Sequence, residues 1–139
     1  MPGNLDCPFH KADQIIAKLK DKVKVLVVDF HAEATSEKIA LGLYLDGRVS
    51  AVCGTHTHVQ TADEKILPGG TAYISDIGMT GPSDSVIGVK ADLVIEKYLT
   101  QLPRRFEVAP GPYQLNAVII EINASTGESR NIVRIANNE

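Results

Sequence analysis

The 139-residue sequence predicts an α/β protein, with a mixed sheet or β-sandwich flanked by helices, and three observations carry that expectation. Two apolar, β-branched runs stand on either side of one amphipathic stretch, the pattern of strand, helix and strand. Two further stretches repeat apolar residues at helical spacing. The last third changes character: strand-like runs separated by short turns, as in antiparallel pairing.

Each element follows from its residues. Lys11 to Lys20 is amphipathic through Ala12, Ile15, Ile16 and Leu19. Val23 to Phe30 is rich in valine and reads as a buried strand that ends in His31. Thr35 to Leu45 is helical through Ile39, Ala40, Leu43 and Tyr44, with Thr35 or Ser36 available as N-cap and Glu37 in the first turn. Asp46, Gly47 and Arg48 turn the chain into a second strand, Val49 to Cys53. Pro68-Gly69-Gly70 turns into a strand from Thr71 to Ile77. Ala91 to Leu102 is helical through Leu93, Val94, Tyr98 and Leu102 and stops before Pro103. Arg105 to Val108, Tyr113 to Ile122 and Arg130 to Ile135 read as strands, the last two joined by the turn Asn123 to Glu128.

Chemistry concentrates where strands end. Three of the four histidines, His31, His56 and His58, follow apolar runs, and His56 and His58 stand at i and i+2 in Gly54-Thr55-His56-Thr57-His58. In extended backbone such a pair points to one side, with Cα atoms about 6.5 Å apart. If the two strands pair in parallel, their carboxyl ends share the sheet edge where open α/β proteins place ligands, and the three imidazoles converge. That favours a site for one metal ion, or for two ions about 4 Å apart. Asp29, Asp76, Thr55 and Thr57 stand near enough in sequence, or at a strand exit, to orient the ligand rings. His10, after Pro8-Phe9, has no partner at a useful spacing and reads as a satisfied surface or core residue, dispensable for metal binding and turnover. The segment from Gln60 to Asp63 and the glycine-bearing Asp76 to Pro82 border the site, more as structure than as catalysts.

Composition narrows the partners. A net charge of −3, with basic residues scattered, argues against general nucleic-acid binding. The sequence has neither a signal-type start nor an 18-residue apolar run, so the expectation is a cytoplasmic protein with no membrane partner. Cys53 falls inside a buried strand as a small apolar filler, and two cysteines, Cys7 and Cys53, make no disulfide framework.

The motifs at Asp29 to Lys38, Gly54 to Asp63 and Ser75 to Pro82 resemble those of the bacterial YmdB-type phosphodiesterases, a branch of the calcineurin-like metallophosphoesterases. The likeness covers nearly the whole chain, but with the C-terminal half of that family: residues 1–139 would be the C-terminal part of a single domain whose N-terminal half is absent. The resemblance implies half of a four-layer α/β/β/α sandwich with mixed sheets. It implies two metal ions, iron or manganese, with zinc possible, where His31 and His56 bind one ion and His58 the other. A bridging glutamate, an aspartate and a general-acid histidine would come from the other half, so no catalytic residue is assigned here. The substrate class implied is a small phosphodiester, 2',3'-cyclic nucleotides first, attacked by a hydroxide bridging the metals.

Two other readings remain: a catalytically silent metal-binding or interaction domain, and a mononuclear zinc hydrolase using the three histidines. Val25, Val27, Val52 and Val118 to Ile120 belong to runs apolar on both faces, as expected of strands covered twice. The chain alone should therefore expose apolar surface, be impaired in activity, and form homo-oligomers or aggregates.

Overall fold

A computed structural model describes residues 6–138. Helix α1 (Pro8–Leu19) is followed by β1 (Val27–His31), α2 (Thr35–Tyr44), β2 (Ala51–Thr55), β3 (Lys65–Ile66), β4 (Ala72–Ile74), β5 (Gly81–Pro82), α3 (Ala91–Thr100), β6 (Tyr113–Ile122) and β7 (Ser129–Asn138). The strands form two sheets. One is mixed, in the order β1-β2-β4-β3, and the other antiparallel, in the order β5-β6-β7.

Strands β1 and β2 pair in parallel, and their register sets His31 beside Thr55, so both run out at one edge. Strand β4 extends the parallel set on the far side of β2. Alternation along these strands then sorts their side chains between two cores. Val52 and Tyr73 face Leu41, Leu45, Phe9, Ala12 and Ile16, so α1 and α2 cover one face. Ala51, Cys53, Ala72 and Ile74 face Ile132, Val118 and Ile120, so the second sheet covers the other. Cys53 is buried as expected, and burial pushes its thiol up to about 11.

Several boundaries and faces depart from the sequence reading. Helix α1 starts at Pro8, whose fixed φ suits the first turn, and carries an exposed His10. Strand β1 starts at Val27 because its partner β2 starts at Ala51, which leaves Val23 and Val25 unpaired and exposed. Ala34, with no side-chain cap, precedes α2, so neither Thr35 nor Ser36 caps it. The face of α2 read as buried is the wrong one: Ile39, Leu43 and Tyr44 are exposed, while Lys38, Leu41, Gly42 and the following Leu45 are buried. Apolar residues surround most of this helix, so periodicity cannot choose a face, and Lys38 disguises the true one. Gly42 decides the matter sterically, since a Cβ there would lie 2.5 Å from the Tyr73 ring.

Strand β4 ends before Ser75, whose N–H goes to the Asp63 carboxylate instead of a ladder. Residues 105–108 form no strand; Val108 makes one isolated bridge to Val89. Strand β6 has the bounds expected, and β7 runs longer than Arg130 to Ile135 because it pairs with β6 from Gln114 to Ile122. Of the residues read as apolar on both faces, Val25, Val27 and Ile119 are exposed, whereas Val52 is buried and Val118 and Ile120 are half-buried against the first sheet. Among the described residues no helix is long and apolar enough to cross a membrane.

Candidate metal centre at the parallel-strand edge

His31 is the last residue of β1, and its ring is held by a relay of side chains. The Thr55 hydroxyl donates to Asp29 Oδ1 at 3.0 Å and lies 3.0 Å from His31 Nδ1. A hydroxyl has one proton, so toward His31 it accepts, which places the imidazole proton on Nδ1 and leaves Nε2 with its lone pair outward. Asp29 thus acts on His31 through Thr55.

His56 Nδ1 lies 3.1 Å from that His31 Nε2, with the rings edge to face at 5.0 Å between centroids. The two strand exits do converge. The separation is that of a hydrogen bond between rings, and equally that of two nitrogens sharing an ion at about 2.1 Å each, so a metal ion would take the place of the shared proton. Neutral imidazoles suit iron, manganese or zinc, and the pair therefore fits the expected group.

The backbone carrying His56 and His58 is not extended. Strand β2 ends at Thr55, and φ is +137° at His56 and +65° at His58. Such values cost a non-glycine residue on the order of 1–3 kcal/mol, and strain of this kind gathers at functional sites. His58 accordingly does not sit beside His56 as an i, i+2 strand pair would. Its Nδ1 lies 3.4 Å from the carbonyl oxygen of Ile87. A carbonyl only accepts, so His58 carries its proton on Nδ1 and offers Nε2. Among the described residues no three His, Cys, Asp or Glu side chains are grouped closely enough to hold an ion together.

Asp76 lies beneath this turn. Its Oδ2 accepts from Thr57 N–H at 2.8 Å and from Lys38 Nζ at 3.2 Å, and its Oδ1 accepts from Gly78 N–H at 2.9 Å. Burial alone would push this carboxyl up, but the amides of Thr57 and Gly78 with the Lys38 ammonium hold it below the ordinary carboxylate value. These partners include no imidazole, so Asp76 acts on the backbone of the turn. Thr57 likewise donates its hydroxyl to Val59 O and closes a local turn. The segment after His58 is structural: Gln60 Nε2 reaches the carbonyls of Ala117 and Ile135 in the second sheet, and Thr61 accepts the Asp76 N–H on its hydroxyl and donates its own N–H to the Asp76 carbonyl.

Sequence reasoning missed Lys38 and Ile87. Lys38 carries a signal in hindsight, a cation spaced i, i+3, i+7 with Leu41 and Leu45. Ile87 carries none, because its role is played by a carbonyl.

The model for the YmdB-like protein family matches residues 1–135. The chain belongs to that family. It is 54 % identical over 135 residues to the 2',3'-cyclic-nucleotide 2'-phosphodiesterase of Bacillus subtilis, a match covering 97 % of the chain and 51 % of that protein. Its fold is similar to a crystal structure of a hypothetical protein from Thermus thermophilus, with a TM-score of 0.90 and 41 % identity over 99 % of the chain and 53 % of the other. A phosphatase of Mycoplasma pneumoniae gives a TM-score of 0.89 and 39 % identity, over 99 % of the chain and 49 % of that structure. The chain spans about half the length of the curated relatives it matches.

Proposed function

We propose that this chain is the C-terminal part of a metal-dependent phosphodiesterase domain and hydrolyses small phosphodiesters, 2',3'-cyclic nucleotides first, once the rest of a calcineurin-like, four-layer fold is present. The observation that carries the reading is the 3.1 Å approach of His31 Nε2 and His56 Nδ1 at the exits of two parallel strands. The Bacillus relative, a 2',3'-cyclic-nucleotide 2'-phosphodiesterase, supports the substrate class.

In this reading His31 and His56 hold one ion and His58 a second, iron or manganese in preference to zinc. When bound, such ions neutralise charge developing on phosphoryl oxygens and ease deprotonation of water. The chain's own residues supply direction. Asp29 and Thr55 keep the proton of His31 on Nδ1, and Ile87 O does so for His58, so each ring turns a lone pair outward. No residue here is assigned as general acid, and a bridging carboxylate would come from the complementary half. The exposed Val27 edge and Ile119 face support a homo-oligomer, or closure by that half, as the partner.

The test pairs the chain by co-expression with the complementary segment of its Bacillus relative and follows hydrolysis of 2',3'-cyclic AMP against manganese. Expected are manganese-dependent turnover, two ions per assembly, and a loss of roughly a thousandfold or more in His31→Ala and His56→Ala. Unchanged turnover in His31→Ala would overturn the reading. One tetrahedral zinc per chain would favour the mononuclear alternative, and no bound metal the silent domain.

A further inference from the structure

We infer that Lys38 is a positioning residue for His56, acting through the peptide groups on either side of it. Lys38 arises on α2, is 1 % exposed, and passes beneath the end of β2. Its ammonium donates to Thr55 O at 3.4 Å and to Asp76 Oδ2 at 3.2 Å, and that same Oδ2 accepts from Thr57 N–H at 2.8 Å. One bridge therefore runs from the carbonyl before His56 to the amide after it. Between those two anchors φ of His56 is held at +137°.

The chemistry of burial says what this arrangement is for. A methionine in this place would fill similar space without desolvating an ammonium, and buried ion pairs are often no more stable than apolar replacements. What methionine lacks is a donor for the Thr55 carbonyl and for Asp76. Because Asp76, also 1 % exposed in its side chain, balances the charge, the clamp adds no net repulsion beneath a cation site. Gly54 makes room for it: a Cβ there would lie 2.7 Å from Lys38 Cδ and 1.9 Å from Ser75 O. The clamp thus holds the strained turn in the one conformation that brings the two rings together.

The inference rests on the metal-site reading for its purpose but not for its geometry, and the experiment separates them. Lys38→Met alone leaves Asp76 buried without its cation, so the informative variant is Lys38→Met with Asp76→Asn, which removes both charges together. Thermal melting reports folding, long-range proton–nitrogen NMR reports the His56 Nδ1 to His31 Nε2 hydrogen bond, and Co²⁺ titration reports the ion site. The expected double variant melts cooperatively, loses the inter-ring signature, and binds Co²⁺ about tenfold more weakly. A folded double variant with wild-type His56 signals and Co²⁺ affinity would reduce Lys38 to packing and overturn the inference.

Should the double variant not fold, hydrogen exchange in the wild-type chain decides. The Thr57 amide is expected to exchange about a hundredfold or more slower than that of Val59, at the pace of β2, and equal rates would overturn the clamp. A wild-type chain that shows the inter-ring signature and a protected Thr57 yet binds no Co²⁺ supports the clamp and counts against the metal-site reading alone.

Discussion

The two histidine-bearing strand exits are built in opposite ways. At the β1 exit the backbone stays regular through His31, and the ring is aimed by side chains, Thr55 and Asp29. At the β2 exit the side chains come second: the backbone leaves the strand at Thr55, adopts positive φ at His56 and His58, and is held from below by Lys38 and Asp76. Side-chain aiming is cheap and local, and exposed to water on both flanks. Backbone aiming stores strain and must be opposed by buried groups. Two imidazoles in contact across 3.1 Å are thus placed by different means, one by side chains and one by backbone.

Gly54→Ala should have the largest effect on the β2 exit. Gly54 pairs with Phe30 in register, so the same level of the sheet carries a bulky residue in β1 and none in β2. The added methyl group would overlap Ser75 O and press on Lys38, and backbone cannot yield as a side-chain tip can. We expect a loss of about 3 kcal/mol or more, measured by urea unfolding, together with loss of the His56 to His31 contact in NMR. Phe30→Leu, at the matching position of the other exit, should cost only about 1 kcal/mol and leave His31 in place. Equal losses from the two would mean that the exits are supported alike.

This asymmetry also marks what could be read from the sequence. The β1 exit was legible because its parts obey a periodicity: a valine-rich run, a histidine, and a helix leading to a second strand whose register brings Thr55 alongside. The convergence of His31 and His56 followed from topology alone. The β2 exit was not legible, since the i, i+2 spacing of His56 and His58 suggests an extended pair, and nothing local announces φ of +137°. That conformation is imposed by Asp76, nineteen positions beyond Thr57, and by a lysine on a helix whose apolar periodicity points to the opposite face. The cores behaved likewise. The sheet faces sorted by alternation, whereas α2 turned on one glycine meeting the Tyr73 ring.

A smaller effect sharpens the other side. Thr55→Val removes the hydroxyl between Asp29 and His31 while keeping the β-branched shape suited to a strand end. Both partners are exposed, so water can replace the lost bonds, and stability should fall by no more than about 1 kcal/mol. The consequence lies in the ring. Without an acceptor at Thr55, His31 should sample both tautomers, seen in its ring nitrogen shifts, and Mn²⁺ affinity should drop about tenfold. Thr55→Ser should restore both. Rescue of stability without rescue of the tautomer would show that the hydroxyl packs but does not aim.

The smallest expected effect runs in the opposite direction and tests whether strain at the β2 exit is functional. Ile87 stands at the tip of a two-residue turn in which Val86 and Val89 exchange both backbone hydrogen bonds, and its φ of +47° is unfavourable for a β-branched residue. Its side chain is exposed and buys no core packing. Its carbonyl faces His58. Glycine relieves roughly 1–2 kcal/mol of left-handed strain and returns about half of that as chain entropy, so Ile87→Gly should stabilise the chain by about 0.5–1 kcal/mol. The freed turn should hold its carbonyl less steadily, and His58 should then lose its single-tautomer signature while His31 keeps its own. A more stable variant with an unchanged His58 would show that the strained isoleucine aims nothing, and that backbone placement at this exit ends with His56.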